Sequence, residues 1–143
     1  MLKNIDPLLN ADLLHVLAAM GHGDDIALVD RNFPATANAR RLIRLTGADV
    51  VAVGRAVLSV FPLDSFVDHP VRRMQIVGKP DEVPPVQQDF QKVVDAAEGR
   101  AWPMGSIERF AFYETARQAF AVVATSESRP YGCFLLKKGV IFA

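Results

Sequence analysis

One stretch near the amino terminus limits the folds open to this chain: Met20-Gly21-His22-Gly23-Asp24-Asp25, then the apolar run Ile26-Ala27-Leu28-Val29, then Asp30. Before it, Asp12 to Met20 carries Leu13, Leu14, Leu17 and Met20 at helical spacing, and Gly21 stands where helices commonly end in a left-handed residue. A helix stopped at a glycine turn and followed at once by an unbroken apolar strand is the opening of a layered α/β structure. His22 therefore leaves the helix rather than riding on it. The helix dipole and the acids Asp24 and Asp25 would both favour its protonated ring, which suits a proton donor. A plain surface turn would use the same residues, and Asp30 reads equally as the start of a turn, Asp30-Arg31-Asn32.

With 143 residues, half of them hydrophobic, the chain reads as one domain, residues 1–143, with a sizeable core. Sixteen basic and sixteen acidic residues cancel, and no stretch concentrates either sign. Nucleic acid and membrane surfaces are thereby disfavoured as partners, since both ask for a sustained basic face. Met1 to Pro7 lacks the apolar core of a signal peptide, and no later run approaches the roughly 20 residues that span a bilayer. A cytoplasmic protein is expected. The single cysteine, Cys133, excludes an internal disulfide, and the three histidines are scattered with no metal-ligand spacing. No P-loop or Gly-x-Gly-x-x-Gly fingerprint occurs, so chemistry must come from side chains, with no metal and no cofactor expected.

Along the chain, Asn10 or Asp12 is available to cap the first helix, and His15 inside it reads as a packing or surface residue. Asn32-Phe33-Pro34 cannot continue a central strand, so Asp30 to Ala35 is a loop. Loops placed directly after strands are where α/β folds usually meet ligands. Arg40 to Leu45 reads as a second strand and Val50 to Val60 as a helix, with Asp64 in the loop beyond it. Val71 to Val77 is a third strand, Lys79 to Pro85 a surface loop, and Val86 to Ala97 an amphipathic helix stopped by Gly99. Trp102 to Gly105 is irregular, and Ser106 enters a helix that runs to Gln118. Within it Arg109 and Tyr113 project from one face. Such a pair suits hydrogen bonding to a neutral polyol over an aromatic floor, although an aromatic core stripe with a snorkelling arginine fits the spacing as well. Phe120 to Thr125 is a buried strand, with Phe134 to Val140 as its hairpin or sheet neighbour and a turn, Ser126 to Cys133, between them.

Taken together, Met1-Leu2-Lys3, Pro7-Leu8, Met20-Gly21-His22-Gly23-Asp24, Asp30 with Phe33-Pro34-Ala35, Pro62-Leu63-Asp64, Arg109-Phe110-Ala111-Phe112-Tyr113-Glu114 and Tyr131-Gly132 with the tail Leu135-Leu136-Lys137-Lys138-Gly139-Val140 resemble the RbsD/FucU family of sugar mutarotases. The likeness covers nearly the whole length, and the Arg109 to Tyr113 block is similar to the L-fucose branch. It implies an α/β protein assembled as a ring-like homo-oligomer, a decamer, with sites near subunit boundaries. It also implies exchange of the anomers of a free monosaccharide without metal or cofactor. Carried over by position, His22 would be the catalytic proton donor and Tyr113 a second acid/base group. Asp30, Asp64, Arg109, Tyr131, Gly132 and Cys133 would contact the sugar. Where this family usually has Asn, the chain has Cys133, which lacks an amide's paired donor and acceptor; the choice of sugar is what that leaves open. A D-ribose pyranase-type mutarotase and a non-catalytic accessory of sugar uptake are the competing functions.

Opening a hemiacetal ring requires a proton at the ring oxygen while another leaves the anomeric hydroxyl, and two proton-handling groups suffice. The sequence places His22 as one of them, with Tyr113 or Tyr131 as the second and Asp30 holding a sugar hydroxyl or the imidazole. The apolar tail Val140-Ile141-Phe142-Ala143 is easier to understand if a neighbouring subunit covers it.

Overall fold

The computed structural model describes all residues, 1–143. Eleven elements follow in order: α1 (Ala11–Ala19), β1 (Asp25–Val29), α2 (Ala35–Asn38), β2 (Leu42–Leu45), α3 (Val50–Leu58), β3 (Val71–Met74), α4 (Pro85–Glu98), β4 (Gly105–Ile107), α5 (Arg109–Gln118), β5 (Ala121–Thr125) and β6 (Phe134–Lys137). The strands form a single sheet in the order β2-β5-β1-β6-β3-β4. All run in the direction of β1 except β6, which is antiparallel to both β1 and β3. The carboxyl ends of five strands and the amino end of β6 therefore share one edge of the sheet. That edge carries the pocket described below.

Alternation along β1 explains its central position. Ile26 and Leu28 enter one core with Leu13, Leu17, Val53, Phe90, Phe134 and Leu136, which joins α1, α3 and α4 to the sheet. Ala27 and Val29 enter a second core on the opposite face, with Phe33, Phe112, Ala116, Val122 and Leu135 from the side of α2 and α5. A strand buried on both faces must be apolar throughout, as the sequence shows. The larger core closes tightly: Phe90 stacks on Phe134 at 3.8 Å and 9°, and its ring lies where a β-carbon on Gly54 would sit, 2.4 Å away. Burying a phenylalanine this completely contributes about 1.5–3 kcal/mol.

Several sequence expectations are corrected. Phe134 to Lys137 does not pair with β5; it lies between β1 and β3, because β5 already has β2 and β1 on its two sides. Ser106 does not enter a helix. It pairs in β4 beside Arg73, and α5 starts only at Arg109, because the Glu108 carboxylate accepts from the N–H groups of Phe110 and Ala111 and caps the helix there. The expected third strand stops at Met74 instead of Val77. Of the two possible caps for α1, Asn10 is the one used, accepting from the Leu13 N–H. No helix is long and apolar enough to cross a membrane.

Candidate active site

At the shared edge, β1 ends and the chain turns at Asp30, whose Oδ1 accepts from the N–H groups of Asn32 and Phe33 at 3.0 and 3.1 Å. The turn role and the site role thus belong to one residue, since this bonding leaves Oδ2 for other work. That oxygen accepts from the Cys133 thiol at 3.4 Å. Burial pushes the thiol's pKa well up, and the neighbouring Asp30 charge pushes it further, so Cys133 remains a neutral donor. Asp30 and Cys133 are 5% and 2% exposed.

The other half of the pocket comes from α5. Arg109 and Tyr113 sit one turn apart, and the arginine Nε donates to the phenol oxygen at 2.9 Å. This contact raises the pKa of Arg109. Because the phenol oxygen is used as an acceptor, its own proton is free to be given, and the arginine's terminal nitrogens are left for a ligand. The Tyr113 ring meets Phe33 edge to face at 5.2 Å, which fixes its tilt. Asp30, Asn32, Phe33, Met74, Arg109, Tyr113, Pro130, Tyr131 and Cys133 enclose a cavity of about 290 Å³. Met74 and Asn32 had no sequence signal: one ends a strand and the other sits in a turn, and only the fold brings them here.

A larger cavity of about 650 Å³ lies between α3 and α4. Its carboxylates are already engaged, Asp49 by the Ala52 N–H and Asp89 by Arg129. Convergence of Asp30, Arg109, Tyr113, Tyr131 and Cys133, and not volume, makes the smaller cavity the candidate site.

His22 lies elsewhere in the chain. It precedes β1 while Asp30 follows it, and a five-residue strand holds its two ends about 13 Å apart. Within one chain, the direction of β1 therefore keeps the imidazole away from Asp30, and its carboxylate partner is a different one. The acids next to it are also turned away. Asp24 accepts from the Gly21 N–H at 2.7 Å, and Asp25 faces Lys137 and Arg72. The partner of His22 is Asp64, whose Oδ1 accepts from Nε2 at 3.1 Å and from the Phe66 N–H at 3.0 Å. A carboxylate only accepts, so Nε2 carries the hydrogen and Nδ1 is left for a reacting group.

Burial acts to raise the pKa of Asp64, but the Phe66 N–H, His22 and Lys137 together outweigh it, and the carboxyl is held below its ordinary range. Asp64, its side chain 5% exposed, holds an imidazole that is 44% exposed. Gly139 makes this arrangement possible: a β-carbon there would fall 2.5 Å from the Leu63 carbonyl oxygen, on the segment that carries Asp64. The His22 ring is edge on to exposed Phe66 at 5.2 Å, and Phe66 in turn meets exposed Phe142 at 6.2 Å.

Fold and pocket together define a class: a small three-layer α/β protein with a polar ligand pocket at the carboxyl edge of its sheet. The model of the RbsD / FucU transport protein family matches residues 3–141. Fucose mutarotase of Homo sapiens is 41% identical over 98% of this chain and 94% of its own, and L-fucose mutarotase of Histophilus somni is 38% identical over 98% and 97%. The crystal structure of the Streptococcus pneumoniae fucose mutarotase in complex with L-fucose superposes with a TM-score of 0.91 at 35% identity, covering 99% of this chain and all of that one. The chain belongs to the RbsD/FucU family.

Proposed function

We propose that this protein interconverts the α and β anomers of L-fucose by general acid/base ring opening. The observation that carries the reading is the convergence of Asp30, Arg109, Tyr113, Tyr131 and Cys133 on one cavity, in a chain whose similar relatives are named for this reaction. Asp30 and Arg109 grip hydroxyls of the sugar, and the Gly132-Cys133 segment borders them. Tyr113, relieved of its acceptor role by Arg109, exchanges a proton at one end of the hemiacetal. Tyr131, in the same cavity, is the alternative for that step.

His22 supplies the other proton, as the donor to the ring oxygen, from a neighbouring subunit. Asp64 orients the imidazole, in place of touching the sugar itself. The reading needs a second copy of the chain, since β1 separates the two halves within one, and we take the assembly to be the ring-like decamer that the family resemblance implies. Exposed Phe66 beside His22, with Phe142 against it, is the apolar contact such an assembly buries. A free, buried thiol at Cys133 fits the reducing cytoplasm.

Saturation-transfer NMR with L-fucose and D-ribose tests the function. Anomer exchange of L-fucose should rise above the buffer rate in proportion to enzyme, and by more than that of D-ribose. A larger effect on D-ribose would move the protein to the ribose reaction, and binding without faster exchange would make it a sugar-binding accessory.

A further inference from the structure

Tyr131 has a left-handed backbone, with φ of 63°. A tyrosine has no local reason to adopt that conformation, so its surroundings must impose it. The surroundings are explicit. Gln87, on α4, is completely buried, and its Nε2 donates to the Tyr131 carbonyl at 3.0 Å and to the Met74 carbonyl at 2.7 Å. Both residues bound by this one amide line the pocket. Its Oε1 accepts from Arg73 at 3.2 Å, and the same guanidinium donates to the carbonyls of Pro80 and Glu82. At its far end, the Tyr131 phenol oxygen accepts from the Val77 N–H at 3.3 Å.

Position 87 lies on the apolar stripe of α4, three residues before Phe90 and seven before Val94. Packing alone would be served there by leucine or methionine. An amide in a core is costly unless all its polar atoms are paired, and here they are. The geometry points to Gln87 as a positioning residue for the site: it ties the end of β3 to the loop before β6 and thereby fixes where the Tyr131 side chain stands in the pocket. Gly132 supports the same placement, since a β-carbon there would come within 2.9 Å of Glu127 and 3.2 Å of Val86, one residue from Gln87. This role rests on the sugar reading above for its effect on turnover, but not for its effect on Tyr131.

The test is Gln87→Met, which keeps the volume and removes both N–H donors. In the folded variant, the backbone carbon shifts of Tyr131 should move away from left-handed values. The KM for L-fucose should rise by about 10- to 100-fold, because a misplaced contact is costly even when its cause lies outside the pocket. The kcat should change by less than about threefold, as expected when binding shared by ground and transition states is lost. If Gln87→Met does not fold, Gln87→Glu serves instead: it keeps Oε1 for Arg73 and supplies at most one donor where the amide has two. A folded variant that keeps left-handed shifts at Tyr131, or keeps the parental KM, overturns the role. Should the parent fail to accelerate L-fucose exchange, the sugar reading falls, and the Tyr131 shifts alone decide the positioning claim.

Discussion

The two ends of β1 are built on different principles. At its carboxyl end, Asp30, Arg109, Tyr113 and Cys133 are held by one another and by backbone N–H groups, so the pocket is set before any ligand arrives. At its amino end, a half-exposed imidazole stands on one buried carboxylate and against exposed Phe66. The first end is a polar cavity without the histidine; the second sets the histidine on Asp64. A strand's direction is the physical reason, because residues before and after it cannot meet across its length. The proposed reaction needs both ends, and it assigns their meeting to a second copy of the chain.

The largest expected effect breaks the amino end. His22→Ala should lower catalysed L-fucose anomer exchange by about 10²- to 10⁴-fold, measured by saturation transfer, while leaving sugar binding intact. Its sharper form mixes subunits: His22→Ala and Asp30→Asn, each inactive alone, should regain activity when unfolded and refolded together, since hybrid boundaries restore whole sites. If the mixture stays as inactive as its parts, each site lies within one subunit and the comparison fails.

At the carboxyl end, Arg109→Leu should raise the KM for L-fucose by roughly 10- to 100-fold, the scale of hydrogen bonds to a charged group. Asp64→Asn should slow turnover by about tenfold through a misheld imidazole, with KM nearly unchanged, the reverse of the pattern at Arg109. The smallest effect is in acid stability. Asp64 has a folded pKa below its ordinary 3.8, so its contribution is full above that value and fades as pH falls through the lower folded one. The Tm difference between the parent and Asp64→Asn should therefore narrow as pH is lowered below 3.8, and a constant difference would show that the carboxylate is not held by these partners.

Local chemistry was legible wherever neighbours in sequence are neighbours in space. Arg109 and Tyr113 were read as one helical face and are bonded across one turn. The apolar run Ile26 to Val29 reads as a strand and is one, buried on both faces. Reading failed where pairing is non-local: β6 was assigned to β5, although nothing in an apolar run says which strand it will lie beside. The same limit applies to His22. Asp24 and Asp25 are its neighbours along the chain, but Asp64, forty-two residues away, is its neighbour in the fold. Gln87 could have been noticed as a polar residue on an apolar stripe, yet its partners could not have been named.

The sequence by itself determined the layered α/β class, through a helix period that gives way to buried apolar runs, and it determined which side chains have useful chemistry. Tertiary structure decided which of them meet. Hydrophobic burial is non-directional and is satisfied by many strand orders, whereas a site needs one particular order, so the company that Asp30, His22 and Tyr131 keep was fixed only when the sheet was assembled.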